Sequence, residues 1–400
     1  MDFLICTFFS AQKTMKTTDF SKQAPGKVVK TLKGYWAFVP EPLPPDVVWS
    51  TKLMAKLSKA DRSLARLAEV GNAFPAPYVV ARPFIRKEAV LSSQIEGTNT
   101  SFQELLTYEA GQLSLFGDVE QAKEVHNYVR ALDYGLTRLK KLPVSVRLIR
   151  EIHGIVMKGV RGELMTPGEV RRSQNWIGRP GATIETARFV PPPVDEMHDG
   201  LKALEEFIHN ENSDLPPLIR LGLIHYQFEA IHPFLDGNGR VGRLLITFLL
   251  VAWELLSQPL LYLSNYFEAN RNEYYDRLLA VSQKGEWEEW LAFFLDGVHS
   301  QAEDASRRIY KLQQLRLAFR KKLASERNSE RLEAVVDYLI SSPITSISGA
   351  QDGLKLGSYR TAQRYIEKLQ ELGLVREVTG KGRDRIYLAD EILKALEGRV

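Results

Sequence analysis

The chain has 400 residues, a formal net charge of +4 and one cysteine. Its 44% hydrophobic and 26% charged composition excludes global disorder, and the small net charge excludes a protein coated in nucleic acid, though not a local basic patch. Cys6 alone builds no disulfide framework and no thiolate zinc site within one chain, which fits a reducing cytoplasm.

The start, MDFLICTFFS, is apolar but short, and it carries an acidic residue where a signal peptide wants positive charge. It reads as a disordered tail, with Met15 as an alternative start. No uncharged apolar run elsewhere is long enough to span a bilayer, so no membrane partner is expected. Residues 1–50 read as an extended segment, because EPLPPDVVW is proline-rich and lacks helical periodicity.

Residues 51–118 form an N-terminal helical region. LSKADRSLARLAEVGNAF spaces Leu57, Leu64, Leu67 and Val70 at helical intervals. A second helix runs from about Pro83 to Ile95 and stops near Gly97. Within a core over 119–325, helices are expected at 119–141, 145–159, 195–210, 216–231 and 239–256, and a long helix or pair fills 287–325. The interval GRPGATIETARFVPPP, from Gly178 to Pro193, combines turn residues with a short β-type run and reads as a hairpin or flap.

Residues 326–400 read as a separate small domain. RLEAVVDYLISS is a helix, and a second begins at Ser358, with Arg360, Arg364 and Lys368 at four-residue steps on one face. LVREVTGKGRDRIYLAD then alternates like two strands around a basic turn containing Lys381, Arg383 and Arg385. Helix, turn, helix and wing is the layout of a winged helix-turn-helix.

The segment from His232 to Arg243, HPFLDGNGRVGR, concentrates chemistry. Gly237, Asn238 and Gly239 have no bulky side chain, so their backbone can turn several N–H groups on one anion at the start of the following helix. Arg240 and Arg243 share one face of its first turn and oppose the helix dipole, a cost that an anion between them offsets. A base, a carboxylate able to hold a divalent cation, an amide cradle and two guanidinium forks together describe a polyphosphate site.

This segment resembles the signature of the Fic (filamentation induced by cAMP) family, HPFx[D/E]GNGRxxR, with every fixed position filled; the resemblance extends over roughly residues 80–300. It implies a mainly α Fic helical fold with a β-hairpin flap, and transfer of AMP from ATP to a Ser, Thr or Tyr hydroxyl of a target protein. By the same resemblance His232 is the general base and Asp236 holds Mg²⁺. Gly237, Asn238 and Gly239 cradle phosphate, Arg240 and Arg243 bind the β- and γ-phosphates, and Val241 and Gly242 complete the segment. Thr186, Ala187, Arg188 and Phe189 in the flap pair with the target backbone and border the nucleotide, while Tyr274 and Tyr275 pack on the adenine. The family also implies a homodimer.

SSQIEG, from Ser92 to Gly97, resembles the family's inhibitory pattern [S/T]xxxE[G/N]. Ser92 and Glu96 share a helix face, and the resemblance pairs Glu96 with Arg243, removing the charge that receives the γ-phosphate. Two alternatives stay open: a deAMPylase in which the glutamate positions water, and a DNA-binding regulator with a Fic sensor or toxin module, whose C-terminal domain contacts DNA.

Overall fold

The computed structural model describes residues 15–111, 118–160, 164–179, 181–211, 213–380 and 384–398. Cys6, Lys381 and Arg383 lie outside them. Among the described residues the chain is mainly helical.

Residues 15–50 are largely extended, as their composition predicts; the start read as a tail, MDFLICTFFS, lies outside the described residues. Strands β1 (Gly26–Lys30) and β2 (Trp36–Pro40) pair antiparallel, with Gly26 opposite Pro40 and Lys30 opposite Trp36. Helix α1 (Thr51–Asn72) starts six residues before the expected Leu57, because Ser50 caps it by accepting a hydrogen bond from Leu53 N. Helix α2 (Pro77–Ile95) likewise starts early. Pro77 takes the first-turn place where a missing N–H costs nothing, and Pro83 lies inside the helix. Helix α3 (Phe102–Glu109) follows, closed by a capping box between Ser101 and Glu104.

The core elements fall close to their expected spans: α4 (Val119–Arg138), α5 (Val146–Val156), α6 (Val194–His209), α7 (Pro217–Ile231) and α8 (Asn238–Ala252). Helices α9 (Ser264–Ala269) and α10 (Arg271–Lys284) were not expected. A single helix, α11 (Trp287–Leu323), then fills the span read as a helix or pair. Helices α7 and α8 are buried on nearly every face, as their continuous apolar sequence requires. The loop joining them, with HPFLDG, is therefore anchored at both ends in the core.

Among the described residues the flap forms one bridge, Ile177 to Phe189. Tight turns at Ala182 and Thr186 shorten the pairing before Pro191, Pro192 and Pro193 remove backbone donors. The N-terminal segment backs this flap: Met15 N donates to Ala187 O (2.9 Å) and Phe38 N to Val190 O (2.9 Å).

The C-terminal residues run α12 (Ser329–Ser341), β3 (Ile344–Ser346), α13 (Ile347–Gly353), α14 (Tyr359–Glu371), β4 (Arg376–Glu377), β5 (Ile386–Leu388) and α15 (Asp390–Glu397). The sheet order is β3-β5-β4, all antiparallel, and Ser358 caps α14 as its sequence predicts. This unit grips α2: Arg86 Nη1 donates to Ser341 O at 3.0 Å, while Arg86 Nε meets Glu109 at 2.5 Å.

Candidate active site

Helix α7 ends at His232, whose φ of 51° places a non-glycine residue in the left-handed region. The His232 carbonyl secures this conformation by accepting from Arg171 Nε (3.0 Å) and Asn175 Nδ2 (3.1 Å). Its Nδ1 lies 3.2 Å from Glu229 O, a carbonyl that only accepts, so Nδ1 carries the proton and Nε2 keeps its lone pair. Burial pushes the imidazole down to about 4, leaving it a neutral acceptor at neutral pH.

Asn238 staples the loop. Its Oδ1 accepts from Phe234 N and its Nδ2 donates to Phe234 O, both at 2.8 Å. The Asn238 side chain is thereby spent on the loop, and the backbone is left to form the cradle. Gly237 needs its glycine for a φ of 78°. Gly239 needs it for close approach: a Cβ there would sit 2.2 Å from Glu96 Oε1 and 3.0 Å from Arg243 Nη1. His153 supports the loop from below. Gly168 N donates to its Nδ1 (2.8 Å), so its Nε2 donates to Asp236 O (3.0 Å), and its ring stacks on Phe234.

The arginines divide. Arg243 Nε donates to Ser92 Oγ (2.8 Å), and Nη2 donates to Ser92 O (3.0 Å) and Glu96 Oε1 (2.6 Å). Burial pushes the Glu96 carboxyl up, but the Arg243 guanidinium outweighs it and the net shift is downward. Glu96 is thus an anion at neutral pH. Gly97, in the left-handed region, ends the turn that presents it. Arg240 instead points into the core and ion-pairs with buried Glu124; its Nη2 is 3.9 Å from Asp236 Oδ1. It does not line the pocket, nor do Val241 and Gly242, which belong to the buried start of α8.

One pocket collects His232, Asp236, the Gly237–Gly239 cradle, Arg243 and Glu96. Its other end is apolar, walled by Phe189, Tyr226, Leu278 and Leu279. From the flap, Phe189 and Arg188 reach this pocket, with Arg188 ion-paired to Asp276; Ala187 is buried, and exposed Thr186 closes a turn on Thr183. Tyr275 lines the pocket, whereas Tyr274 is core, its hydroxyl 2.8 Å from His225 Nε2.

Residues 54–137 match the model of the Fic/DOC family N-terminal region, and residues 143–250 match that of the Fic/DOC family. The chain carries the Fic/DOC family N-terminal and Fic domains. Over 202 residues it is 26% identical to the protein adenylyltransferase Fic of Drosophila willistoni, an alignment covering 49% of this chain and 38% of that protein. With the Drosophila grimshawi protein of the same name it shares 31% over 132 residues, or 32% of this chain and 25% of that one. The matches thus span well under half of these relatives.

Among solved structures, a Fic family protein from Desulfovibrio desulfuricans G20 aligns with a TM-score of 0.55 at 18% identity, covering 87% of this chain and 98% of that one. Fic-1 from C. elegans aligns with 0.52 at 22% identity, covering 66% and 75%. Both show a shared fold.

Several residues of this Fic site carry no motif that sequence reasoning weighed. Arg171 and Asn175 lie within RRSQNWIG, just before the flap, and no local pattern there marks them as the support of His232. His153 gave no signal beyond being a histidine in an amphipathic helix. In the C-terminal unit, Arg360 and Arg364 are exposed on α14, but Lys368 pairs with Glu326 and Glu371, and Arg385 with Glu367. Among the described residues no helix is long and apolar enough to cross a membrane.

Proposed function

We propose that this Fic/DOC chain is an autoinhibited protein adenylyltransferase that moves AMP from ATP to a Ser, Thr or Tyr hydroxyl of a target protein and releases pyrophosphate. One observation carries the reading: a neutral, correctly protonated His232 shares a pocket with an amide cradle and with an arginine that a carboxylate holds. The naming of the Drosophila relatives agrees with it.

The target hydroxyl loses its proton to His232 Nε2 as its oxygen attacks the α-phosphorus, and the bond to the pyrophosphate oxygen breaks. The N–H groups at the start of α8 hold the phosphates through the turn, and Arg243 is positioned to offset the γ-phosphate once Glu96 leaves it. Asp236, a partly exposed carboxylate beside the cradle, suits a hard cation bound through one protein oxygen and the substrate phosphates. A Mg²⁺ ion there would neutralise charge on the leaving pyrophosphate. With Glu96 engaged, ATP lacks its γ-phosphate partner and meets a negative charge.

The test is mass spectrometry of lysate proteins incubated with ATP and the Glu96→Gly protein. Peptides gaining one AMP unit support the reading; their absence, with ATP binding intact, sinks it.

A second reading concerns partners. The order helix, strand, helix, helix, strand, strand, with Arg360 and Arg364 exposed on α14, supports a winged helix that contacts DNA phosphates. Duplex binding that weakens steeply with salt and is lost in Arg360→Ala/Arg364→Ala would support it. Salt-independent or unchanged binding would sink it.

A further inference from the structure

Glu229 lies one helical turn before His232 on α7 and lines the pocket between its two ends. On one side is the phosphate end, with His232, the glycine cradle and Arg243. On the other is the apolar end, whose polar atoms are already committed: Tyr226 Oη and Ser282 Oγ bond each other at 2.9 Å. Glu229 Oε1 is buried and has no hydrogen-bond partner. Its seat is built for it. A Cβ at Gly242 would lie 2.4 Å from Glu229 Oε1 and 3.1 Å from Phe228 Cδ1, so the glycine of GRVGR makes room for this carboxyl.

A buried polar group with no partner costs about 1–3 kcal/mol, and a ligand that supplies the missing donors recovers it. We propose that Glu229 is a specificity-determining residue, its carboxyl receiving hydrogen bonds from the ribose hydroxyls of the bound nucleotide. The proposal rests on the nucleotide reading above. With the triphosphate on the cradle and the base in the apolar end, the sugar falls between them, at Glu229. Carboxylates take vicinal ribose hydroxyls in unrelated nucleotide sites because two acceptor oxygens match two adjacent donors. Burial pushes the free carboxyl up to about 8, so at neutral pH it is mostly protonated, and donors brought by the ribose return it to the carboxylate. A pocket built this way rejects a sugar lacking a hydroxyl, since binding it leaves the buried carboxyl unpaired.

The experiment is calorimetric titration of the Glu96→Gly protein with ATP, 2′-deoxy-ATP, 3′-deoxy-ATP and tripolyphosphate. ATP is expected to bind roughly tenfold more tightly than at least one deoxy analogue. In Glu96→Gly/Glu229→Ala that ratio should fall to about one, with tripolyphosphate affinity unchanged. Glu229→Gln, which fits the same seat and still accepts, should keep part of the preference. Equal affinity of the Glu96→Gly protein for all three nucleotides overturns the assignment without any change at position 229. A preference that survives Glu229→Ala overturns it too. If the Glu96→Gly protein binds no nucleotide at all, the adenylyltransferase reading falls, and this assignment with it.

Discussion

Glu96 Oε1 lies 2.6 Å from Arg243 Nη2, and the same guanidinium is held by both the hydroxyl and the carbonyl of Ser92. Helix α2 thus occupies every side of Arg243 that it can reach, and it does so with a charge-assisted bond where the phosphate belongs. Such a bond is worth about 1.5–3 kcal/mol. Glu96→Gly is therefore expected to raise AMP transfer roughly ten- to a hundredfold, read as incorporation of labelled ATP into the protein and its targets. Incorporation no greater than that of the unaltered chain would mean that the ion pair is not a brake.

His232→Ala in the Glu96→Gly background should cut transfer by roughly a hundred- to ten-thousandfold, the usual contribution of a positioned base. ATP affinity should stay within about threefold, because the cradle and Arg243 are intact. Single-turnover transfer together with equilibrium ATP binding separates the two effects. Transfer that persists at the parental rate would remove His232 from the chemistry.

The base should titrate low. Burial pushes His232 down to about 4, so its neutral, proton-accepting form is present above that pH and lost as pH falls through it. The acid limb of kcat/KM for the Glu96→Gly protein should accordingly lie well below 6.5, the ordinary imidazole value. The imidazole resonances of His225, held down to about 3 in the core, should likewise not shift between pH 7 and 5. An acid limb near 6.5 would show that the pocket floods with water in the working state.

Arg240 belongs to the fold more than to the ligand. Its side chain is 3% exposed and its partner Glu124 is 5% exposed, so removing one charge strands the other. Glu124→Ala should cost about 3–5 kcal/mol in chemical denaturation. A loss below about 1 kcal/mol would show that Arg240 finds another partner, with the nearby Asp236 carboxylate the nearest candidate.

Legibility followed the kind of signal. The spans of α4 to α8 were readable because each has long apolar periodicity and a clear stop, and the dodecamer because its residue types are rarely found together. The pairing of Glu96 with Arg243 was readable only through resemblance, since nothing local says where a last-turn glutamate points. Arg240 and Tyr274 resisted: their neighbours in sequence line the pocket, but helical rotation turns these two into the core, where Glu124 and His225 meet them. Glu229 was invisible for a related reason. Its significance depends on the missing Cβ of Gly242, a contact between two helices that no spacing along one of them encodes. The pairing of residues 15–40 with the flap is long-range too, so composition marked the segment as extended and could not say what it lies against.

Helix α2 can be viewed as a strut held at two points. Arg86, buried near its middle, is tied to the Ser341 carbonyl of the C-terminal unit, and Ser92 and Glu96 at its far end are tied to Arg243. Only about 9 Å of helix separates Arg86 from Ser92. The last fifth of the chain and Arg243 are thus connected in series through one rigid rod. Trimming away residues 326–400 would strand the Arg86 donor and loosen the rod's mounting, so a shortened protein would be a different machine and not merely a smaller one.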